Sequence, residues 1–135
     1  MSDAPALRVV AIRGKGRGVV AGRPFAAGEV LEQAPALVIP ADEWDLAGAT
    51  LIARYAFRWR EPSGDSALAL GRCSLLNHSY SPNAWARNRV RERLIEFVAL
   101  RDIAEGEEVT INYNGDPDGD APVDFAVRDG SSGRR

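Results

Sequence analysis

Apolar residues in this chain fall in short alternating or unbroken runs, punctuated by Gly, Pro, Asn and Ser. That spacing predicts strands rather than helices. Leu7 to Ile12 reads as a strand rich in branched residues. Arg13-Gly14-Lys15-Gly16-Arg17-Gly18 interrupts it as a loop, and Val19-Val20-Ala21 resumes as strand. Alternating glycines there allow positive φ and close approach of another backbone or of a ligand, although a plain hairpin loop explains them as well. Phe25 to Leu31 reads as a turn running into a strand, and its pattern recurs at Ile103 to Val109, too far along for a solenoid period. Ala36 to Ile39 is a further strand, closed by Pro40.

The best helical window is Ala41 to Leu51, with Asp42 as cap and Trp44, Leu46 and Leu51 toward the core; Gly48 weakens it. Tyr55 to Trp59 alternates as a strand with one aromatic face, and Ala67 to Gly71 reads as a turn or short helix. Ala84 to Arg91 and Arg93 to Leu100 form a hairpin turning near Arg91-Glu92. The second arm is apolar on both faces and therefore buried. In the last strand Val109, Ile111 and Tyr113 share one face, and Thr110 and Asn112 the other. Trp44, Phe57, Trp59 and Phe97 are expected in the core, with Cys73 as a small buried residue. Beyond Tyr113 the composition shifts to Asp, Gly, Pro and Ser; Pro122 to Val127 can dock back, and Gly130 to Arg135 should fray. The fold class is mainly β, with little helix.

A length of 135 residues fits one domain, and 45% hydrophobic content can fill its core. The net charge of -2 gives no electrostatic case for nucleic acid as a required partner, though arginines cluster at Arg87, Arg89, Arg91 and Arg93. One cysteine and one histidine exclude an internal disulfide and a Cys-based zinc site, so no metal site is expected. The cysteine usage and the lack of a secretory pattern or membrane-length apolar run suggest an intracellular, cytoplasmic chain with no membrane partner.

Two stretches carry the chemistry. Asn77-His78-Ser79-Tyr80-Ser81-Pro82-Asn83 holds the sole histidine among amides and hydroxyls able to grip a polar ligand. Taken alone, it reads first as a polar turn with a satisfied histidine. Gly106-Glu107-Glu108-Val109-Thr110-Ile111-Asn112-Tyr113 follows, dense in charge and closed by a tyrosine.

Together with Gly16-Arg17-Gly18, and in this order, these stretches resemble the SET-domain protein lysine methyltransferases. The Asn-His-Ser-x-x-Pro-Asn motif is the specific part, and its combination with Glu-Glu-Val-Thr and the closing tyrosine is strong. Phe25-x-x-Gly28-Glu29 and Ala67-Leu68-x-Leu70-Gly71 support it. Three positions depart from the pattern: Ser74-Leu75 stands where many relatives have Arg-Phe, and Asn112 where many have Asp.

The resemblance implies short β-sheets around a knot-like crossing, with the segment after Tyr113 passing beneath the loop from Asn77 to Asn83. Residues 1–6 would be an N-terminal extension, 7–114 the SET domain, and 115–135 a partly docked tail with a disordered end. It implies transfer of a methyl group from S-adenosylmethionine, giving S-adenosylhomocysteine, to a lysine in a basic, histone-like protein or peptide. Lys15, Gly16, Arg17 and Gly18 would hold the methionine part of the cofactor by their backbone. Asn77 and His78 would hold its amino and adenine groups. Tyr113 would be the catalytic tyrosine and Tyr55 would line the lysine channel. Asn83, Glu108 and Asn112 would hold the crossing together. With one cysteine, these 135 residues would not include the zinc modules that wall the channel in many relatives. That wall falls to the tail, with Phe125 as the candidate to stack on the cofactor, or to a second subunit in a homodimer.

The chemistry suits such residues. The amine must react neutral, whereas a free lysine has a pKa of about 10.4. A desolvating aromatic channel beside a sulfonium lowers that value. A non-catalytic binding module of the same fold is the competing reading. A hydrolase built on His78 and Ser79 is weaker, because the two are adjacent and no nucleophile elbow is present.

Overall fold

The computed structural model describes residues 5–60 and 63–113. Nine strands run through them: β1 (Leu7–Ile12), β2 (Gly16–Ala21), β3 (Val30–Ile39), β4 (Phe57–Arg60), β5 (Asp65–Ala69), β6 (Asn77–His78), β7 (Ala84–Arg89), β8 (Leu94–Ala99) and β9 (Glu108–Ile111). They form a four-stranded sheet in the order β1-β2-β9-β6 and a five-stranded sheet in the order β4-β5-β3-β8-β7. Among the described residues, helix is confined to α1 (Trp44–Ala47) and three 3-10 turns, Ala41–Glu43, Leu51–Arg54 and Arg72–Leu75. The mainly β class expected from the apolar pattern is what forms.

The core lies between the sheets. Val19 of β2, Val109 of β9, and Ile95 and Phe97 of β8 are fully buried, and Phe57 meets the Phe97 ring edge-on with centroids 5.8 Å apart. As expected, β8 is buried on both faces. Its one charged residue, Glu96, is 4% exposed and is held by the Gln33 amide at 2.7 Å and by the Arg87 guanidinium. Those two bonds, Gln33 first, hold its carboxyl below the usual range.

The recurring turn pattern has a structural counterpart. Phe25 and Ile103 bridge antiparallel, each N–H donating to the other's carbonyl at 2.9 and 2.8 Å. Around that bridge the two turns repeat each other. Glu29 accepts from the Ala26 N–H and pairs with Arg23, while Glu107 accepts from the Ala104 N–H and pairs with Arg101. Gly28 and Gly106 both sit at φ 85. The local contacts therefore follow an approximate two-fold axis through the Phe25–Ile103 bridge, and its second copy delivers β9.

Several sequence expectations differ from the structure. The window from Ala41 to Leu51 holds one short α-helical turn flanked by 3-10 turns. Leu46 and Leu51 are 81% and 68% exposed, and Trp44 is half-buried over Gly48 instead of in the core. Asp42 does not cap it; Pro40 occupies the cap position. With Gly48 close behind, the segment is too short to propagate a helix. Ala67 to Leu70 is mostly strand β5, because the buried Ala67 and Ala69 pair between β3 and β4; pairing outweighs the helical preference of Ala and Leu. Val30 to Ile39 is one strand rather than two. Pro35, which has no N–H to give, sits where β3 leaves β8 and takes up β5. Strand β4 starts at Phe57, with Tyr55 capping the preceding 3-10 turn. Gly16-Arg17-Gly18 belongs to β2 rather than to the loop before it.

A Cβ placed at Gly28 or at Gly106 would meet nothing within 4 Å, so the cost of a side chain there is that of the left-handed backbone alone. Gly28→Ala and Gly106→Ala are each expected to lower stability by about 1–2 kcal/mol, and by the same amount. Denaturant midpoints of the two variants measure this; clearly unequal values would contradict the two-fold arrangement.

Candidate active site

The polar knuckle is positioned from below by the Arg72–Leu75 turn. Glu32 of β3 accepts from the Arg72 and Cys73 backbone N–H groups at 3.2 and 2.9 Å, which ties the end of β5 to the knuckle's entry. Cys73 is buried, and that burial, then the Glu32 carboxylate, push its thiol well above the ordinary range. It is packing, not a nucleophile.

From there the chain runs as β6, which pairs in parallel with β9: Asn77 opposite Thr110 and His78 opposite Ile111. The Ser79 N–H extends this pairing to the Ile111 carbonyl at 2.9 Å. Asn83 closes the knuckle. Its buried amide donates to the Glu107 carboxylate at 3.1 Å and the Glu108 carbonyl at 2.8 Å, and accepts from the Thr110 N–H at 2.9 Å. For Glu107, burial pushes the carboxyl up, but the Ala104 N–H, Asn83 and Arg101 outweigh it and leave the net value low. Asn83 and Glu108 thus fasten the knuckle to β9, and Asn112 at the end of that strand is buried.

Tyr113 follows directly from β9. Its N–H donates to Nδ1 of His78 at 3.0 Å, and its hydroxyl donates to the Leu76 carbonyl at 2.7 Å. An acceptor Nδ1 means a neutral imidazole with its hydrogen on Nε2. The His78 ring is enclosed by Tyr80, edge-on at 4.4 Å, and by Tyr113 at 5.2 Å. The tyrosine and the histidine, far apart in sequence, therefore form one unit. Tyr113 keeps 43% of its surface accessible, and partial desolvation acts on its phenol. That desolvation, then Tyr55 and then Glu108, push its phenol up to about 12.

Across the sheet, the glycine strand meets the same knuckle. The Asn77 amide donates to the Arg17 carbonyl at 3.0 Å and to the Glu108 carboxylate at 2.9 Å. The other Glu108 oxygen takes the Lys15 ammonium at 2.7 Å. Lys15 is the chain's one lysine. The approach is close enough that a Cβ on Gly18 would lie 2.7 Å from the Asn77 amide. Strand β9 pairs with β2 only at Val19 and Val20, so the β2 edge at Gly16–Gly18 extends past it beside Asn77. At Gly16 itself, a Cβ would find open space.

The structure brings together Lys15, Gly16, Arg17, Gly18, Asn77, His78 and Tyr113, with Tyr55 near enough to act on the Tyr113 phenol. Phe125 lies outside the described residues, as does the segment expected to pass beneath the knuckle. Three contacts were not legible in the sequence: the Leu76 carbonyl that takes the phenol hydrogen, the edge of Tyr80 on His78, and the Lys15 side chain locked to Glu108. A backbone acceptor leaves no trace in residue type. The Glu107-Glu108 doublet was the only hint of the third.

The SET domain family model matches residues 16–114. The chain belongs to the SET-domain family. It is 36% identical over 100 residues to the histone-lysine N-methyltransferase, H3 lysine-37 specific, of Schizosaccharomyces pombe, covering 73% of this chain and 67% of that protein. Among solved structures it resembles a candidate histone methyltransferase of Plasmodium falciparum, with TM-score 0.63, 22% identity, and coverage of 84% of this chain and 95% of that one. It also resembles a chain of the Chaetomium thermophilum Polycomb Repressive Complex 2 bound to an inhibitor, with TM-score 0.67, 23% identity, and coverage of 82% and 15%. At such identities the structural likeness speaks for the fold, and the SET fold is what this chain adopts.

SET methyltransferases use S-adenosylmethionine, and the residues of this SET domain fit it. The β2 edge runs past β9 and borders open space at Gly16, with the Asn77 amide and the Lys15–Glu108 pair beside it.

Because folding raises the phenol's pKa, the stability this gives is intact below the free-tyrosine value of about 10 and is lost as pH climbs through 12. Ultraviolet titration should show one phenol ionising near 12 that is missing in Tyr113→Phe. In Glu108→Gln it should ionise at lower pH, since a negative neighbour is gone. A Tyr113 phenol that titrates with the ordinary ones would contradict the burial of its hydroxyl.

Proposed function

We propose that this SET-domain protein transfers the methyl group of S-adenosylmethionine to the side-chain amine of a lysine in a protein substrate. As a member of its family it is a protein-lysine methyltransferase. The observation that carries it is the Tyr113 hydroxyl bonded to the Leu76 carbonyl, at the entry of the knuckle whose His78 holds the same residue's backbone.

When bound, S-adenosylmethionine supplies a methyl group on a sulfonium sulfur, and transfer forms the N–C bond as the S–C bond breaks. The protein's part is position and electrostatics. Gly16–Gly18 and Asn77 offer backbone and amide groups to a polar ligand, and the Asn77–Glu108–Lys15 contacts keep that edge in place. His78, neutral and buried, orients Tyr113 through its backbone. With its pKa near 12, the Tyr113 phenol stays protonated at neutral pH and is no general base. Its hydrogen goes to Leu76, so toward an incoming group its oxygen serves as acceptor. It can take an amine N–H or the weak C–H contact of a polarised methyl. The lysine must shed its proton to solvent before it reacts. Tyr55 and Tyr113 support this by making its last stretch of path aromatic and poorly hydrated.

The relative from Schizosaccharomyces pombe is described as H3 lysine-37 specific. That supports a basic, lysine-bearing, histone-like segment as the substrate class here. Phe125 is our candidate for the cofactor's outer wall, with a second copy of the chain in a homodimer as the other source.

Tyr113→Phe is expected to reduce methyl transfer to a histone mixture by about 100-fold or more while cofactor affinity changes little, because positioning is lost at the reacting atoms. Radiolabelled methyl incorporation together with calorimetric titration separates the two quantities. Cofactor binding with no transfer by the unaltered chain would leave a binding module in place of an enzyme. Calorimetry on a chain ending at Asn114 should show weaker cofactor binding than the full chain; equal affinity would remove the tail and Phe125 from the site.

A further inference from the structure

The arginines of the five-stranded sheet take no part in the site described above, which lies on the other sheet. Strands β4 and β7 stand at opposite ends of the order β4-β5-β3-β8-β7, yet the structure brings them together. The Asn88 amide on β7 donates to the Arg58 and Trp59 carbonyls of β4 at 2.8 and 2.9 Å. The sheet is thus curled until its ends nearly meet. On β4, Trp59 is buried between Arg58 and Arg60, which are both exposed. On β7, Ala84, Ala86 and Asn88 share the inner face, so Arg87 and Arg89 lie outward. The tip of the β7–β8 hairpin adds the exposed Arg91 and Arg93.

Arg87 is committed to Glu96, and Arg89 makes a loose exposed pair with Glu92 at 3.6 Å. Arg58, Arg60, Arg91 and Arg93 have no carboxylate within ion-pair distance among the described residues. A chain of net charge -2 therefore concentrates positive charge along one seam and the hairpin beside it. The charges are spread over two strands and a turn instead of gathered in a pocket. That distribution matches a line of negative charge, not a single anion. All are guanidinium groups, whose planar forks bind phosphate oxygens in pairs.

We propose that this arginine seam is a docking surface for the phosphate backbone of a nucleic acid, separate from the methyl-transfer site and not required by it. Its contacts are to phosphates, so binding is independent of sequence and strongly dependent on salt. Bound this way, the protein would be held near basic proteins that themselves coat nucleic acid.

The test is fluorescence polarisation of a labelled duplex of about 20 base pairs with the full chain, between about 50 and about 200 mM potassium chloride. The unaltered protein is expected to bind, with log affinity falling linearly against log salt. Arg58→Ala, Arg60→Ala, Arg91→Ala and Arg93→Ala combined should weaken binding at least about tenfold and flatten the salt slope by roughly 0.9 for each phosphate no longer neutralised. Replacing the same four by lysine should keep most of the affinity, which separates lost charge from lost folding. Methyl transfer to a free lysine peptide should be the same in all three proteins. No binding by the unaltered chain at the lowest salt would overturn the proposal, as would equal binding by the alanine variant. So would poly-glutamate competing as well as the duplex, which would assign the seam to acidic proteins.

Discussion

The two-residue parallel pairing of β6 with β9 is the contact on which the rest of this molecule depends. Two ladder positions contribute little by themselves. They hold because Asn83 and Ser79 add side-chain and backbone bonds at either end, and because these groups are buried, where a broken bond leaves an unsatisfied donor or acceptor costing about 1–3 kcal/mol. Buried polar groups of this kind also enforce register. If β9 slipped by one residue, Thr110 would leave Asn83, and the Tyr113 N–H would no longer fall on His78. The position of the tyrosine hydroxyl is therefore set by hydrogen bonds several residues away from it.

The approximate two-fold repeat around Phe25 and Ile103 explains how β9 reaches that register. Each turn is locked internally by its own glutamate and glycine, so each arrives preformed. The second glutamate does two jobs. Glu107 closes its own turn through Ala104 and also receives the Asn83 amide from the knuckle. Glu108, next along, faces the other way and joins Lys15 to Asn77. A pair of adjacent carboxylates thus fastens both sides of the site, one toward Asn83 of the knuckle and one toward the glycine strand. Strand alternation makes this division automatic, since neighbouring side chains point to opposite faces.

How far the sequence could be read varied with the kind of force at work. The β7–β8 hairpin, the buried arm of β8 and the first strand were legible, because alternation and apolar runs state burial directly. Leu46 and Leu51 fit a helical stripe but face solvent, since among the described residues no element packs over them. The strand at Ala67–Ala69 was misread for the converse reason, as only its neighbours β3 and β4 make small residues right there. Within the site, the glycine strand, His78 and Tyr113 could be named from residue type and order. The bond from Tyr113 to the Leu76 carbonyl could not, because every residue carries a carbonyl.

By itself, the sequence determined that this chain folds mainly as β structure, and that its imidazole, amides and closing phenol stand in two short stretches. Patterning decides which side chains must leave water, and amide, imidazole and phenol groups are rare enough to stand out. Only the tertiary structure decided which of them meet, which proton goes where, and that arginines from both ends of one sheet line a common seam. Those outcomes depend on register and curvature, which arise from contacts between distant segments and have no signature in any one of them.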